Sequence, residues 1–230
     1  MITCRFCNGP CIKKGWQSGV QKLRCKICGK HQQLSYTRQR LNTIQKDVIE
    51  FLHSEGNSIS TLSRFLKFSK TTVSNWIRSL SDEYEHEVSE QPGGEYQADE
   101  LRTFVGNKKN ESWIMYAINK LTHKIISLCV GRRTKENLQH VTSDLLKQNP
   151  KTICTDRLPV YQSLISKEVH IVKERKTNHI ERMNLQFRNQ LKRLSRKTIC
   201  FSRSENMLRA AVWLCVKYIT KGSKNYEFVL

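Results

Sequence analysis

The chain has 230 residues, with 40 Lys and Arg against 20 Asp and Glu and a net charge of +20, so a polyanion is its natural partner, nucleic acid first. Charges break every apolar stretch well short of the roughly 20 residues a membrane helix needs, which excludes a spanning segment. The polar start Met1-Ile-Thr-Cys-Arg lacks the regions of a secretory signal, so the expected location is the cytoplasm. Nine cysteines is an odd number for a cytoplasmic chain, where disulfides are disfavoured, and metal binding is their first use to test.

Residues 1–35 read as a zinc ribbon. Cys4-x-x-Cys7 and Cys25-x-x-Cys28 are two tight knuckles, each able to turn two thiolates onto one ion, and together they complete a tetrahedral site. Cys11 competes for a ligand position. Cys129, Cys154, Cys200 and Cys215 lie in apolar runs and are expected in the core.

Residues 40–80 read as an all-α helix-turn-helix domain. An amphipathic helix over 42–54 puts Ile44, Val48, Ile49 and Leu52 on one face. From Ser58 the pattern is helix, short turn, helix, with Leu62, Phe65 and Leu66 expected against Val73, Trp76 and Ile77. Ser69 is placed to cap a second helix whose outer face carries Lys70, Thr71, Thr72, Ser74, Asn75 and Arg78. Those side chains suit the base edges and phosphates of a major groove, although a plain three-helix packing unit shares the apolar pattern. Residues 81–95, rich in carboxylates and ending Pro92-Gly93-Gly94, read as an acidic linker.

Residues 96–230 change period. Strands are expected over 96–105, 113–118 and 124–130, then a helix from Thr134 to Lys147, a strand over 151–155, a turn or helix through Leu164 and a strand over 169–172. Two long basic helices, 178–194 and 204–218, end the pattern. Three strands followed by helix, strand, helix, strand, helix is the order of an α/β ribonuclease-H-like domain with a mixed five-stranded sheet, which makes the whole chain multidomain.

In that order Asp99 lies on the first strand, Asp156 just after the fourth and Glu181 on the helix after the fifth. Converging carboxylates can hold divalent ions for phosphoryl displacement, and hard oxygen ligands favour magnesium or manganese. Asp99 and Glu100 are neighbours on a strand and face opposite ways, and the alternation alone does not choose between them. Arg188 is two helical turns from Glu181 on the same face, suited to a DNA phosphate. Asn178, His179, Arg182 and Asn184 crowd the same region, with His179 a phosphate donor or a proton relay. Lys192, Arg193, Arg196 and Lys197 read as a DNA-binding stripe.

At these residues the chain resembles the transposases of the insertion-sequence-1 family. The similarity rests on the two Cys-x-x-Cys pairs, Val73-Ser-Asn-Trp76, Asp99-Glu100-Leu101, Thr155-Asp156, the run His179-Ile-Glu-Arg-Met-Asn184, Arg188, Leu194-Ser-Arg-Lys-Thr198 and Phe201-Ser202. The resemblance implies Asp99, Asp156 and Glu181 as a metal-binding triad, choosing Asp99 over Glu100, and a front end that binds terminal inverted repeats in a prokaryotic nucleoid. It implies metal-dependent cleavage of double-stranded DNA and 3′-hydroxyl strand transfer, without a nucleotide cofactor or a membrane. Pairing two DNA ends implies a homodimer or higher oligomer. The rival readings are a catalytically silent DNA-binding regulator and a structure-selective nuclease.

Overall fold

The computed structural model describes residues 2–35, 40–85, 92–172 and 178–221. The chain divides into two compact units, Met1–Asn42 and Thr43–Leu230.

In the first unit β1 (Cys11–Gln17), β2 (Val20–Cys25) and β3 (His31–Gln33) form an antiparallel sheet in that order. Ser18 and Gly19 join β1 to β2 with φ of 51° and 75°, the positive pair that a two-residue hairpin of matching twist requires. Among the described residues of this unit only Cys4, Leu23 and Cys25 are buried apolar residues. So small a core cannot hold a fold by itself, and the cysteines must contribute.

The second unit opens with α1 (Thr43–Ser54), α2 (Ile59–Leu66) and α3 (Lys70–Glu85). Ser58 accepts from the Thr61 amide and Ser69 from the Thr72 amide, both at 3.0 Å, so a serine caps each of the last two helices. Leu62, Val73 and Ile77 are buried as expected, whereas Phe65 is 68% exposed. The face α1 buries also departs from the expected one. Ile44 is exposed, and Ile49, Glu50, His53 and Ser54 turn inward. They do so because α1 packs on α7 (Glu205–Lys221): Lys217 reaches Glu50 at 2.9 Å, and Ser54 donates to the Leu214 carbonyl at 3.3 Å. Of the stretch expected as linker, 81–85 continue α3, 86–91 lie outside the described residues, and Glu95 opens the next strand.

The large sheet holds β4 (Glu95–Phe104), β5 (Glu111–Asn119), β6 (Ile125–Gly131), β7 (Thr152–Thr155) and β8 (His170–Val172), in the order β6-β5-β4-β7-β8. The β4–β5 and β5–β6 pairs are antiparallel, and the β4–β7 and β7–β8 pairs are parallel. One face packs on α4 (Lys135–Lys147) and α5 (Pro159–Leu164), the other on α6 (Asn178–Gln190) and α7. Helix α6 stops at Gln190, short of the expected Leu194, and Lys192–Leu194 form a single 3-10 turn. Helix α7 is not the basic surface helix its ends suggest. Leu208, Val212, Leu214, Cys215 and Val216 are at most 2% exposed, because the sheet lies on one side of the helix and α1 and α3 on the other.

Burial forces a cost on His53, whose pKa is lowered to about 4, first by desolvation and then by Arg193. Protonation therefore favours the unfolded chain, in which the imidazole titrates near 6.5. Stability is complete above that value and lost as pH falls towards 4, by about 3 kcal/mol over the window. Denaturant midpoints at pH 7, 5.5 and 4.5 check this: His53→Gln is expected to flatten the slope, and an equal slope in both proteins would exclude His53 as its source.

Candidate active site and cysteine cluster

Register brings the first two acids together. In the parallel β4–β7 pair Gln97 lies beside Cys154, and Asp99 and Asp156 each follow two residues further on, where their carboxylate oxygens come within 4.8 Å. Pleating then sorts Asp99 from Glu100. Gln97, Asp99 and Leu101 face α6 and α7, Gln97 accepting from the Ile180 amide at 3.0 Å and Leu101 joining that side's core. Glu100 faces the other way and accepts a hydrogen bond from the Tyr161 hydroxyl of α5. One oxygen from each of Asp99, Glu100 and Asp156 nevertheless falls within 4.8 Å of the others.

Each carboxylate is held by the chain. Asp99 Oδ1 accepts from the Glu100 amide at 2.8 Å and Oδ2 from Asn184 Nδ2 at 2.6 Å. Asn184 is fixed in turn by Tyr116, whose hydroxyl meets Asn184 Oδ1 at 2.8 Å; Tyr116 stands opposite Asp99 on β5. Asp156 Oδ1 accepts from the Leu158 amide at 2.9 Å, closing the turn that leaves β7. Burial raises the Asp99 carboxyl above its ordinary range, and the charges of Asp156 and Glu181 add to the rise. Glu100 is pushed up to about 7, first by burial, with the charges of Asp156 and Asp99 adding to the rise. Such a site holds its negative charge at a cost that a cation relieves.

Glu181 stands outside the tight carboxylate group. It is exposed on the first turn of α6 and lines a cleft of about 650 Å³ with Asn184, Arg188, Ser195 and Arg196. Its position three residues before Asn184 and seven before Arg188 puts all three on one helix face. Arg188 is half-buried and lies within reach of the charge of Asp99.

Other residues singled out in the sequence take different positions. Asn184 is engaged with Asp99 rather than free for phosphate. Arg193 turns inward, donating from Nη1 to Ser202 Oγ at 2.9 Å, while Lys192, Arg196 and Lys197 are exposed on a turn and the following loop, not on a helical stripe. His179 stacks on His123 with centroids 4.7 Å apart, and its pKa is lowered, by burial first, so it is neutral near pH 7. Arg182 is exposed. Lys70, Thr71, Asn75 and Arg78 are exposed on α3, Arg78 donating to Asn75 Oδ1 at 2.5 Å, whereas Thr72 and Ser74 are partly buried. Cys154 and Cys215 are buried and Cys129 is half-buried, but Cys200 is exposed, because it lies in the loop before α7 and not in the core.

The four cysteines of the first unit meet. Cys4 and Cys28 sulfurs are 3.7 Å apart, Cys7 and Cys25 3.4 Å, and all four lie within 4.8 Å. Thiolates at about 2.3 Å from a central ion in tetrahedral array lie about 3.8 Å from one another, so the set fits one such ion. Amides of Phe6 and Ile27 donate to Cys4 and Cys25 at 3.4 and 3.3 Å, as tight knuckles allow. Cys11 bonds the Gly9 carbonyl instead and stands outside the set.

A sheet of three antiparallel and two parallel strands in this order, with Asp99 in the middle of β4 meeting Asp156 just after β7, defines a ribonuclease-H-like domain. The IS1 transposase family model matches residues 96–221, and the chain belongs to that family. Among relatives, the insertion element iso-IS1n protein InsB of Shigella dysenteriae is 38% identical over 106 residues, which is 46% of this chain and 81% of that protein. The insertion element IS1 4 protein InsB of Escherichia coli K12 is 34% identical over 118 residues, 50% of this chain and 71% of that protein. Among solved structures, the HTLV-2 integrase catalytic core domain in complex with magnesium aligns over 52% of this chain and 83% of its own, with 17% identity and a TM-score of 0.35. Likeness of that degree adds nothing to the topology described above. Among the described residues no helix is long and apolar enough to cross a membrane.

The sequence pointed to the acids and the cysteines but not to Tyr116, Tyr161 or the positioning role of Asn184. Their polar ends are aimed at the site only by sheet register and helix packing. If Asp99 is a metal ligand in a strand-cleaving site, as proposed below, Asn184→Ala is expected to free Asp99 and to lower strand cleavage or metal affinity roughly 10–100-fold, the usual effect of losing a group that orients a ligand. A magnesium titration of the cleavage rate checks it, and an unchanged half-saturation and rate would deny Asn184 that role.

Proposed function

We propose that the protein is an active transposase: it binds the terminal inverted repeats of its insertion sequence, cleaves a strand there and joins the freed 3′-hydroxyl to target DNA. The observation that carries this reading is the meeting of Asp99 and Asp156 beneath the helix that bears Glu181, in a chain of this family. Asp99, Asp156 and Glu181 would hold magnesium or manganese, with Glu100 a fourth acid from the opposite face of the sheet. The fit rests on hard oxygen donors and on the raised Asp99 and Glu100, which mark a place where positive charge is wanted. Bound there, the ions would activate the attacking oxygen and stabilise the leaving one.

The chain's own groups do the rest. Asn184 and the Glu100 amide fix both oxygens of Asp99, and the Leu158 amide fixes Asp156. Arg188 and Arg196, in the wall of the Glu181 cleft, are set to hold the phosphates flanking the scissile one. Lys70, Thr71, Asn75 and Arg78 on α3 are the proposed base and phosphate contacts of the helix-turn-helix, with Thr72 and Ser74 beside them, and His179, Arg182, Lys192 and Lys197 extend the DNA surface. The cysteine cluster would hold zinc. Function as a pair or larger assembly on DNA, in the cytoplasm beside the nucleoid, completes the proposal.

The test is a labelled duplex carrying the element's own ends, incubated with the protein and Mg²⁺. Cleaved and joined products support the reading. End binding without cleavage under Mg²⁺ or Mn²⁺ selects the silent regulator, and cleavage without joining selects a nuclease.

A further inference from the structure

A second cleft, of about 550 Å³, lies away from the carboxylates, between the α1–α2 turn, α3 and the segment leading into α7. The N-termini of both α2 and α7 open on it, with Ser58, Ile59 and Ser204 in its wall. Arg78, Lys192, Arg193 and Arg203 line it, and among the described residues no Asp or Glu does. Helix N-termini and unopposed cations together favour an anion.

A third observation is independent of these. His53, also in the wall, is 2% exposed. Its Nδ1 lies 3.1 Å from the Asn57 carbonyl, which can only accept, so Nδ1 carries the proton. Nε2 is buried with no hydrogen-bond partner among the described residues. A bound anion would let Nε2 take up a proton and donate to it, satisfying an atom that the protein leaves unpaired.

The surroundings indicate a strand rather than a single small ion. This cleft shares Arg193 and Phe201 with a neighbouring one of about 290 Å³, lined also by Arg102, Lys108 and Lys197. That one shares Arg188, Ser195 and Arg196 with the cleft of Glu181. A run of cations therefore leads from the cleft of Glu181 to Arg78 on α3, as successive phosphates of one strand require.

We propose that the His53 cleft binds a backbone phosphate of the DNA whose neighbouring segment lies at the carboxylates, and so ties the hold of α3 on DNA to the placing of the scissile phosphate. This rests on the DNA-binding part of the function proposed above, not on cleavage. The test uses the full chain and a labelled duplex of arbitrary sequence, with affinity measured by anisotropy over a salt series. Lys192→Gln with Arg203→Gln, both exposed side chains, is expected to weaken binding roughly tenfold near 0.1 M salt and to lower the log–log salt slope by about 0.9 for each phosphate no longer neutralised. Lys135→Gln on α4, outside the cleft, is expected to change neither.

Unchanged affinity and slope in the double variant would overturn the proposal. Inorganic phosphate at matched ionic strength should displace DNA from the wild type better than from the double variant. Phosphate binding that needs Arg203 yet does not compete with DNA would make this a free-anion site and overturn the DNA assignment. Wild-type cleavage of end-bearing duplex is measured alongside. Weakened DNA binding by the double variant with no wild-type cleavage keeps the cleft and removes the transposition reading; cleavage with unaltered binding does the reverse.

Discussion

Asp156→Asn is expected to reduce cleavage and joining of end-bearing DNA roughly 10³-fold or more while leaving end binding intact. The expectation follows from its place: a carboxylate oxygen of Asp156 lies within 4.8 Å of one of Asp99, and its Oδ1 is fixed by the Leu158 amide, so the amide substitution keeps the turn while removing the charge. Under the proposed function Asp156 is a ligand to ions that stabilise both oxygens of an in-line displacement, and losing it would remove about 4 kcal/mol or more of transition-state stabilisation. Two further variants separate the remaining acids. Glu181→Gln, on the helix that Asp99 faces, is expected to match Asp156→Asn. Glu100→Gln is expected to act much less at pH 7, because Glu100, with its pKa pushed up to about 7, is already partly neutral and is held by Tyr161. If Glu100→Gln abolished cleavage and Glu181→Gln did not, the third ligand would be Glu100, as the tight grouping of Asp99, Glu100 and Asp156 would then require.

Loss of the zinc proposed for the cysteine cluster is expected to be the second large effect. A strong chelator is expected to unfold the first unit while the second keeps its helices, since the described residues of the first include only Cys4, Leu23 and Cys25 as buried apolar residues. Ions in such four-thiolate sites contribute on the order of 10 kcal/mol or more of binding free energy, which in a unit this small is folding free energy. Cys25→Ser should do the same without chelator, because Cys25 is buried and pairs with Cys7 across the cluster. Cys11→Ser should leave the unit folded. One zinc per chain in the wild type, none in Cys25→Ser, and loss of amide dispersion confined to residues 2–35 in NMR spectra are the measurements. Zinc content unaffected by Cys25→Ser would move the ligand set elsewhere, with Cys11 the first alternative.

Local chemistry was legible wherever it depends on spacing along the chain. Two Cys-x-x-Cys pairs specify a four-sulfur cluster because two intervening residues fix each knuckle. Ser69 three residues before Thr72 specifies a helix cap, and Thr134 before Lys135-Glu136 another. The strand and helix order of the catalytic domain followed from the change of period at Tyr96, with most boundaries within two residues of the structure. Inward and outward faces were less legible. Ile44 and Phe65 read as core because they fit a helical stripe, and both are exposed; for Ile44 the reason is that the partner deciding the face of α1 is α7, more than 150 residues later.

The residue types able to carry the chemistry are written in the chain before it folds: four thiolates at knuckle spacing, three carboxylates on successive elements, and a cationic excess suited to a polyanion. How they are held is settled by folding. Strand alternation alone left Asp99 and Glu100 equal, and the packing of α6 on one face of the sheet and α5 on the other assigned Asp99 to Asn184 and Glu100 to Tyr161. The same packing drew Arg193 inward while leaving Lys192 exposed. The physical reason is that spacing fixes what a few covalently linked residues can reach, whereas burial, and the charge and hydrogen bonding that burial enforces, depends on elements that meet only after the chain has folded.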